Sequence, residues 1–305
     1  MSPGRRRRRL AAVFGLGGAL VAVCLWILSE PSPLSASAIP AHTPDLRNGE
    51  TLFRAGVCLA CHKPPDGSNA NAELPSGGAA FKTPVGVFYP QNLTPDAETG
   101  LGGWSALDFV NAMRLGISPA GTHYFPAFPY PSYRSMTTED LLDLYAWLET
   151  LPAVRSPARK ADVPLLTVAR RGVGLWKRLE LRRPTHASDG TRSASWNRGA
   201  YLVNAPGHCG ECHTPKSWLK VADDRRHMRG GPHPGGEEGT VPDLHGLVAR
   251  KRYKDAGDLT LALQNGETLG YEDLSSGGMA AIQEQIARLP ESDVRAMSEY
   301  LLSLE

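Results

Sequence analysis

The sequence is short of aromatic residues. Phe, Trp and Tyr make up only 7% of its 305 residues, whereas Gly (32) and Pro (25) are plentiful. This composition predicts many loops around something other than a large side-chain core. Hydrophobic residues (41%) and charged residues (21%) occur in globular proportions, and the length allows two ordinary domains.

Cysteine is also scarce, which excludes a disulfide framework. Of the five cysteines, Cys24 lies in an apolar N-terminal run, and the other four form two Cys-x-x-Cys-His motifs at residues 58–62 and 209–213. An exported protein could use disulfides, but no spare pair of cysteines exists here. The four remaining thiols must therefore serve the chemistry of the two motifs.

Cys-x-x-Cys-His is the attachment motif of c-type haem. Thiols at this spacing reach both vinyl groups on one edge of the porphyrin, and the adjacent histidine can turn beneath the ring to bind iron. A four-cysteine zinc site would leave both histidines unused, and a thioredoxin-like redox pair would need a strand–helix pattern that is absent. We therefore expect two haems c. The covalent sites would be Cys58, Cys61, Cys209 and Cys212, and the proximal iron ligands His62 and His213.

Charge is absent from residues 10–28, directly after five arginines at positions 5–9. Nineteen uncharged residues are many for a signal peptide and just enough for a membrane anchor. The segment 36–38 (Ala-Ser-Ala) resembles a small-residue cleavage site, so residues 1–38 are predicted to be a signal peptide or a transmembrane anchor. The positive-inside rule then places the rest of the chain outside the cytoplasm.

Neither sign of charge is in large excess after this leader. Residues 39–305 carry a net charge of −2, so nucleic acid is not an expected partner. Basic residues are concentrated in the predicted linker, residues 152–195, which holds ten basic and three acidic residues. We interpret this linker as a strap packed between two domains. The alternative is that its amphipathic part contacts a membrane surface or a partner.

The two halves of the sequence repeat each other. Residues 108–116 match residues 258–266 at an offset of 150, close to the 151 residues that separate the two motifs. This indicates a duplicated module of about 110 residues. The predicted fold is all-α, with two tandem class I cytochrome c domains at residues 45–151 and 196–305.

Each module is predicted to begin with a helix, at residues 45–56 and 196–205. Each of these helices contains a glycine, Gly49 or Gly199, where another element could approach closely. Each module is also predicted to end with a helix that contains an aromatic residue, within "MTTEDLLDLYAWLETL" in the first and "LPESDVRAMSEYLLSLE" in the second. A first helix with a glycine against a last helix with an aromatic residue is the arrangement of small class I cytochromes c.

Few methionines are available as the sixth iron ligand. Met113 and Met297 align with leucines of the other module, so we assign both to the core. Met228 follows the second motif by only 15 residues, which is early for such a ligand. Met279 precedes the last helix and is the predicted sixth ligand of the second haem. A methionine opposite histidine raises the reduction potential.

The first haem has no methionine at the equivalent place, where Phe128 stands. Met136, eight residues later, is the nearest methionine before the closing helix of the first module and is the predicted ligand. His123 and an open iron are the alternatives. An open site would allow small-molecule chemistry.

Three long stretches resemble the cytochrome c subunits of membrane-associated bacterial alcohol, aldehyde and sugar-acid dehydrogenases. They are "TPVGVFYPQNLTPDAETGLGGWSALDFVNAMRLGI", "YFPAFPYPSYRSMTTEDLLDLYAWLETLP" and "WNRGAYLVNAPGHCGECHTP". The resemblance runs from about residue 45 to the end of the sequence, with the motifs in the order of the family.

The resemblance implies an electron-transfer subunit that is reduced by a quinoprotein, flavoprotein or molybdenum catalytic subunit. Members commonly carry three haems and reduce ubiquinone or a terminal oxidase, so the two motifs here imply a two-haem relative. Relatives with Phe at the position of Phe128 tend to have a methionine a few residues later, which supports Met136. Four residues are implied to line the first haem pocket near its propionates: Asn92, Thr94, Pro95 and Trp104.

The predicted function is periplasmic electron transfer from a partner dehydrogenase toward the respiratory chain, through a downstream cytochrome, oxidase or quinone. The chain is expected to be a subunit of a dehydrogenase complex rather than an enzyme by itself. It would be held at the outer face of the cytoplasmic membrane by its anchor or by a partner. The alternative is a dihaem enzyme, similar to thiosulfate dehydrogenases or peroxidases, with an unusual first haem site.

Overall fold

Helices form most of the regular structure, which confirms the helical part of the predicted fold class. The computed structural model describes residues 3–64, 73–78, 80–83, 86–233, 239–267 and 278–305. The helices in these ranges are α1 Pro3–Leu28, α2 Leu46–Ala55, α3 Cys58–His62, α4 Ala106–Leu115, α5 Tyr130–Tyr133, α6 Thr138–Glu149, α7 Leu166–Glu180, α8 Ala194–Asn204, α9 Gly210–His213, α10 Ala256–Asn265, α11 Gly278–Ile286 and α12 Glu291–Leu302.

Two short antiparallel hairpins complete the regular structure of the described residues. In the first, β1 (Phe81–Thr83) pairs with β2 (Gly86–Phe88), and in the second, β3 (Gly231–Pro232) pairs with β4 (Thr240–Val241). Each hairpin follows a Cys-x-x-Cys-His motif. The modules therefore repeat in structure as well as in sequence.

Several helices begin where a polar side chain can cap them. Asp45, Ser105, Thr137 and Ser193 stand at the N-caps of α2, α4, α6 and α8, and each side chain accepts a backbone N–H of the first turn. Such caps each stabilise a helix by about 1 kcal/mol. At the other end of α4, Gly116 adopts the left-handed conformation with φ of 57°, which ends the helix.

The first and last helices of each module cross at a glycine. A Cβ atom at Gly49 would lie 2.2 Å from the carbonyl oxygen of Asp143 in α6, and one at Gly199 would lie 1.8 Å from that of Ala296 in α12. Both distances are far below van der Waals contact. Only glycine therefore permits these crossings, as the sequence predicted.

Two hydrophobic cores lie behind the motifs. The first is built mainly from α2, α4 and α6 and includes the buried side chains of Leu52, Val110, Met113, Leu141 and Leu148. The second is built mainly from α8, α10 and α12 and includes Leu202, Leu259, Val294, Met297 and Leu301. Met113 and Met297 are thus core residues, as their alignment with leucines predicted.

Each of the two cores contains a residue of the other module. Ala55 of the first module packs in the second core, and Ala205 of the second module packs in the first core. The hydroxyl of Tyr201 also donates to the carboxylate of Asp140. The modules are therefore in direct contact through equivalent parts of their first helices.

The linker contains α7, which contacts both modules. The ammonium group of Lys177 donates to the carbonyl oxygen of Gly116 in the first module (2.8 Å), and the indole N–H of Trp176 donates to that of Leu219 in the second (3.0 Å). These contacts fit a strap between the modules. Within the ranges described above, none of the helices combines the length and hydropathy that a membrane crossing requires.

Candidate haem sites

Each motif begins after a residue in an unusual backbone conformation. Val57 and His208 directly precede the first cysteines and have φ of 44° and 41°, in the left-handed region that ordinary side chains rarely occupy. Such strain of about 1–3 kcal/mol is characteristic of functional sites. The turn directs the chain into α3 or α9, whose single helical turn brings both cysteines and the histidine to one place.

Both motif histidines bind a backbone carbonyl through Nδ1. Nδ1 of His62 lies 2.6 Å from the carbonyl oxygen of Gln91, and Nδ1 of His213 lies 2.9 Å from that of Pro242. A carbonyl can only accept, so Nδ1 carries the proton in each ring and Nε2 presents a lone pair. This is the usual second bond of a metal-ligating histidine. The bonds fit both residues to the predicted role of proximal ligand.

The two acceptors occupy equivalent positions. Gln91 and Pro242 are 151 residues apart, the same distance as His62 and His213. Sequence reasoning missed them because any residue type can supply a carbonyl. The repeat offset was the only signal that could have located them.

Burial favours the neutral form of both rings. It lowers the pKa of His62, although the bond to Gln91 partly opposes this, and it lowers the pKa of His213 against the bond to Pro242 in the same way. Because only neutral imidazole binds a metal, the protein holds both side chains in the ligand form.

The loops after the motifs fold alike. The carbonyl oxygens of His62 and His213 accept the N–H of Gly77 (3.0 Å) and Gly230 (2.7 Å), respectively. Further on, Leu244 N–H donates to the carbonyl of Met228, in the way that Leu93 N–H donates to Pro75 in the first module. The histidine-bearing side of each site is thus braced by the same backbone bonds.

Met228 belongs to this braced loop. Its side chain is fully buried in the second core, and its Cε lies 3.8 Å from the Cβ position of Gly210 in the motif helix. It therefore packs against the segment that carries His213. This position favours a core role for Met228 and leaves Met279 as the predicted ligand.

The pKa values of the motif cysteines favour neither a redox pair nor a zinc site. Burial raises the pKa of Cys58 and of Cys209 to about 12, and it also raises the pKa values of Cys61 and Cys212. Reactive thiol pairs and thiolate metal ligands need lowered pKa values instead. Among the residues that the structure describes, no three side chains of His, Cys, Asp or Glu converge as metal ligands.

The structure favours Met136 over His123 as the sixth ligand of the first haem. Met136 is 2% exposed and lies in the first core directly before the cap of α6. Both ring nitrogens of His123 are engaged elsewhere, since Nε2 lies 2.9 Å from the carbonyl oxygen of Ser29 and Nδ1 lies 3.0 Å from Nζ of Lys177. Iron ligation by Met136 stays a prediction.

Aromatic rings surround the position where the repeat would place a methionine in the first module. The ring of Phe128 lies 5.6 Å from that of Tyr133 and 5.8 Å from that of Tyr124. Met279, which occupies the corresponding place in the second module, is the second residue of α11 and is half-buried. Only Gly278 separates it from residues 268–277, which lie outside the described residues, and its ligation also stays a prediction.

The four residues expected around the first haem have structural partners in the protein. The amide oxygen of Asn92 accepts from the N–H (2.9 Å) and the hydroxyl (2.8 Å) of Thr94, and its amide nitrogen donates to the carbonyl of Val154 (2.7 Å). Because Asn92 follows Gln91, these bonds fix the carbonyl that holds His62. Contact of these side chains with propionates stays a prediction.

Trp104 and Pro95 lie on the loop between Asn92 and α4. The ring of Trp104 packs against the first core, and its carbonyl accepts the hydroxyl of Tyr145 (2.7 Å). Pro95 is half-buried, and its carbonyl oxygen lies against Gly102, where a Cβ atom would approach it to 2.4 Å. The loop is therefore tightly folded beside the first site.

The two motifs lie next to each other. The ring centroid of Tyr133 lies 5.6 Å from that of His208, and its hydroxyl donates to the carbonyl of Gly56 (3.3 Å). The hydroxyl of Ser132 donates to the carboxylate of Glu211, inside the second motif, over 2.9 Å. Sequence analysis identified none of these contacts, because nothing in the motifs indicates their relative position.

Glu211 places a charge at this junction. Burial alone would raise its pKa, but the ammonium of Lys216, 2.6 Å away, and the hydroxyl of Ser132 outweigh this, so that the pKa is lowered. The carboxylate is therefore ionised at neutral pH. The local negative charge is balanced by Lys216 rather than by solvent.

Comparisons with known proteins indicate the family of the chain. The family model described as cytochrome c matches residues 46–152. The chain is 37% identical to a diheme cytochrome c-type protein of Cereibacter sphaeroides, over 97% of both chains. It is 36% identical to one of the nicotinate dehydrogenase subunits of Pseudomonas putida, over 97% of this chain and 24% of that protein.

A third relative is the fructose dehydrogenase cytochrome subunit of Gluconobacter japonicus, which is 32% identical over 90% of this chain and 55% of that protein. The chain thus spans nearly all of the first relative but about a quarter and about half of the other two. Together with the cytochrome c subunits of alcohol and gluconate dehydrogenases, these relatives show that the chain belongs to the cytochrome c family, whose cofactor is haem c.

Proposed function

We propose that the chain transfers electrons between a partner dehydrogenase and an acceptor of the respiratory chain, through two covalently bound haems c. One observation carries this proposal: two motif histidines, in adjacent sites, make the same Nδ1–carbonyl bond at the same repeat offset. Two equivalent sites side by side are suited to passing electrons along a chain.

The residues present fit two such groups. Four cysteines would form the thioether bonds, and the four iron ligands would be His62 and Met136 in the first site and His213 and Met279 in the second. A haem c bound at each site would supply a reversible one-electron couple. The protein's own part is to keep the imidazoles neutral, to exclude water with the two cores and to hold the sites together.

The partner is proposed from the relatives. Several of them are named as cytochrome subunits of dehydrogenases that act on fructose, alcohol or gluconate. By analogy, the electron donor of this chain would be a dehydrogenase subunit of the quinoprotein, flavoprotein or molybdenum type. The acceptor would be a downstream cytochrome, an oxidase or a quinone.

The proposed location is the periplasmic face of the cytoplasmic membrane. The arginine run followed by 19 uncharged residues supports export with the arginines inside. Residues 1–38 would act as a signal peptide or as an anchor.

A dihaem enzyme is the less favoured alternative. It would need an open or easily displaced ligand at the first haem. His123 is bound on both ring nitrogens, and Met136 is buried at the predicted ligand position. This arrangement supports a relay without an open site.

The proposal is tested on the purified full chain. Mass spectrometry of the denatured protein and a pyridine haemochrome assay should both give two haems per chain. The double variants C58A/C61A and C209A/C212A should each retain one, and a mass measurement on denatured protein does not depend on their folding. Rapid reduction by a co-purifying dehydrogenase, with no turnover of peroxide or thiosulfate by the chain alone, is expected. One haem per chain, or such turnover, would overturn the proposal.

A further inference from the structure

The outer side of α7 carries an exposed apolar stripe with arginines along one edge. Leu165, Val168 and Leu179 are 80%, 66% and 50% exposed. At 100° per residue, Val168 and Leu179 lie on one face of the helix, with Leu165 continuing the stripe at its start. The exposed Arg178 lies about a quarter-turn away on the same helix, and the exposed Arg182 follows two residues after its end. Apolar side chains that are this exposed on a helix indicate a surface that binds a partner or a membrane.

The opposite side of α7 is fixed to the first module. Val173, Lys177 and Glu180 recur at helical spacing and are 8%, 7% and 3% exposed. The ammonium of Lys177 donates to the carbonyls of Leu115 and Gly116. The helix therefore cannot roll inward to bury its apolar stripe.

A turn of the second module extends the stripe. Residues 217–221 form a tight turn in which Trp218 is 88% and Leu219 is 42% exposed. Its position is set by Trp176, three residues before Leu179, whose indole N–H donates to the carbonyl of Leu219. We call the stripe, its arginines and this turn the strap face; it comprises Leu165, Val168, Arg178, Leu179, Arg182, Trp218 and Leu219.

The end of α1 is docked beside the strap face. Ser29 is 2% exposed, and its carbonyl accepts from Nε2 of His123 (2.9 Å). Gly174 allows this approach, because a Cβ atom there would lie 2.4 Å from the carbonyl oxygen of Ser29. Arg178 donates to the carbonyl of Leu28 (2.6 Å), and the guanidinium of Arg171 lies 4.1 Å above the ring of Trp26.

The helix that ends here has apolar side chains exposed around its whole circumference. Between residues 12 and 28 it carries no charged residue, and ten of its large apolar side chains are more than two fifths exposed. The strap face thus continues an uncharged surface that no other part of the described chain covers. The surface of α1 and the strap face therefore both require an apolar environment.

We propose that the strap face rests on an anionic lipid bilayer, with α7 lying in the headgroup region. An apolar stripe edged by arginines, with tryptophan at the boundary, is the pattern of interfacial helices. The charge is complementary, since the strap face carries Arg178 and Arg182 and no acidic residue, whereas residues 39–305 as a whole carry −2. Continuity with the uncharged helix favours lipid over a protein partner.

This contact would orient both haem sites above the membrane. Because α7 is fixed to the first module by Lys177 and to the second by Trp176, a bilayer that holds α7 also holds the two modules at a set height. The arrangement differs from that of a domain that is attached to the membrane only through a flexible segment. The proposed membrane contact is a property additional to electron transfer, and electron transfer can be measured separately on the same samples.

Photo-crosslinking on the full-length holoprotein tests the proposal. The photoreactive residue p-benzoylphenylalanine replaces Val168 or Trp218 in protein reconstituted into vesicles of phosphatidylcholine with phosphatidylglycerol. Leu261 on α10, an apolar helix residue that is 60% exposed, is the matched control site. Lipid adducts, counted by mass spectrometry, should be at least about fivefold more abundant at Val168 and Trp218 than at Leu261.

Lipid composition and charge provide the second arm. Vesicles of phosphatidylcholine alone, or the substitution Arg182→Glu, should reduce the lipid adducts at Val168 by about half or more. Equal labelling at Val168, Trp218 and Leu261 would overturn the proposal. So would replacement of the lipid adducts by protein adducts in native membranes that contain the dehydrogenase. Haem reduction by the dehydrogenase is recorded in parallel, so that a failed relay is distinguished from a failed membrane contact.

Discussion

The hydroxyl of Ser132 in the first module donates to the carboxylate of Glu211, which lies between the two cysteines of the second motif, over 2.9 Å. The ionised Glu211, with Lys216 2.6 Å away as its counter-ion, therefore lies where the two sites meet. An anion near a haem stabilises the oxidised iron, because oxidation adds positive charge to the site.

Glu211→Gln should consequently raise the reduction potential of at least the second haem by on the order of tens of millivolts. Glutamine keeps the size and can still accept from Ser132, so the change is mainly one of charge. Potentiometric titration followed by optical spectroscopy measures the effect. Glu291→Gln, at an exposed position of α12, is the matched control and should leave both potentials unchanged. Equal potentials in E211Q and wild type would contradict the expectation.

The helix crossings predict a sharp contrast between glycines. Gly199→Ala should destabilise the protein by about 3 kcal/mol or more, because its Cβ would lie 1.8 Å from the backbone oxygen of Ala296 and the helices would have to separate. Gly172→Ala, in α7, meets no atom within 4 Å and should be neutral or stabilising by up to about 1 kcal/mol. Urea unfolding of the two holoproteins tests this, and similar losses in both would refute the crossing geometry.

Removing Met136 should alter only the first haem. Met136→Leu keeps an apolar side chain of similar size but no thioether, so the near-infrared band of methionine-ligated iron should fall to about half and one potential should drop. Met113→Leu, a change in the same core, is the control and should leave the band intact. His123→Ala should also preserve it, since both nitrogens of His123 bind other groups. Loss of the band in H123A instead would show that the assignment is wrong.

The hydrogen bonds to the carboxylate of Asp143 predict that the protein loses stability in acid. Although burial opposes it, the hydrogen bonds from Asn48 (2.8 Å), His42 (2.6 Å) and the N–H of Asp45 (2.7 Å) lower the pKa of this carboxyl. The contribution of the Asp143 carboxylate to the free energy of unfolding is therefore complete above the unfolded-state pKa. It is lost as the pH falls through the lower folded-state pKa. Unfolding free energies measured between about pH 2 and 6 should fall less steeply for Asp143→Asn than for wild type. Parallel profiles would exclude this role.

Much of each module could be predicted from the sequence because its determinants are local. The motif spacing and the need for Gly49 and Gly199 both follow from residue types at fixed positions. The repeat separated the core methionines from Met279, which no single module could have done.

Contacts through backbone groups and across the modules could not be predicted. Gln91 and Pro242 act through carbonyl oxygens, which every residue possesses, so their types give no indication of the role. The engagement of His123 depends on Ser29 and Lys177, which are 94 and 54 residues away in the sequence. Such meetings are decided by tertiary packing, and only the structure shows them.

The exchange of Ala55 and Ala205 between the two cores has a consequence for how this protein could be rebuilt. A module separated from its neighbour would lose a buried alanine from its own core. The alanine that it contributes to the core of the other module would become exposed. Each half thus completes the core of the other. An engineered chain with one foreign half would have to reproduce a small side chain at the boundary before its two sites could lie side by side.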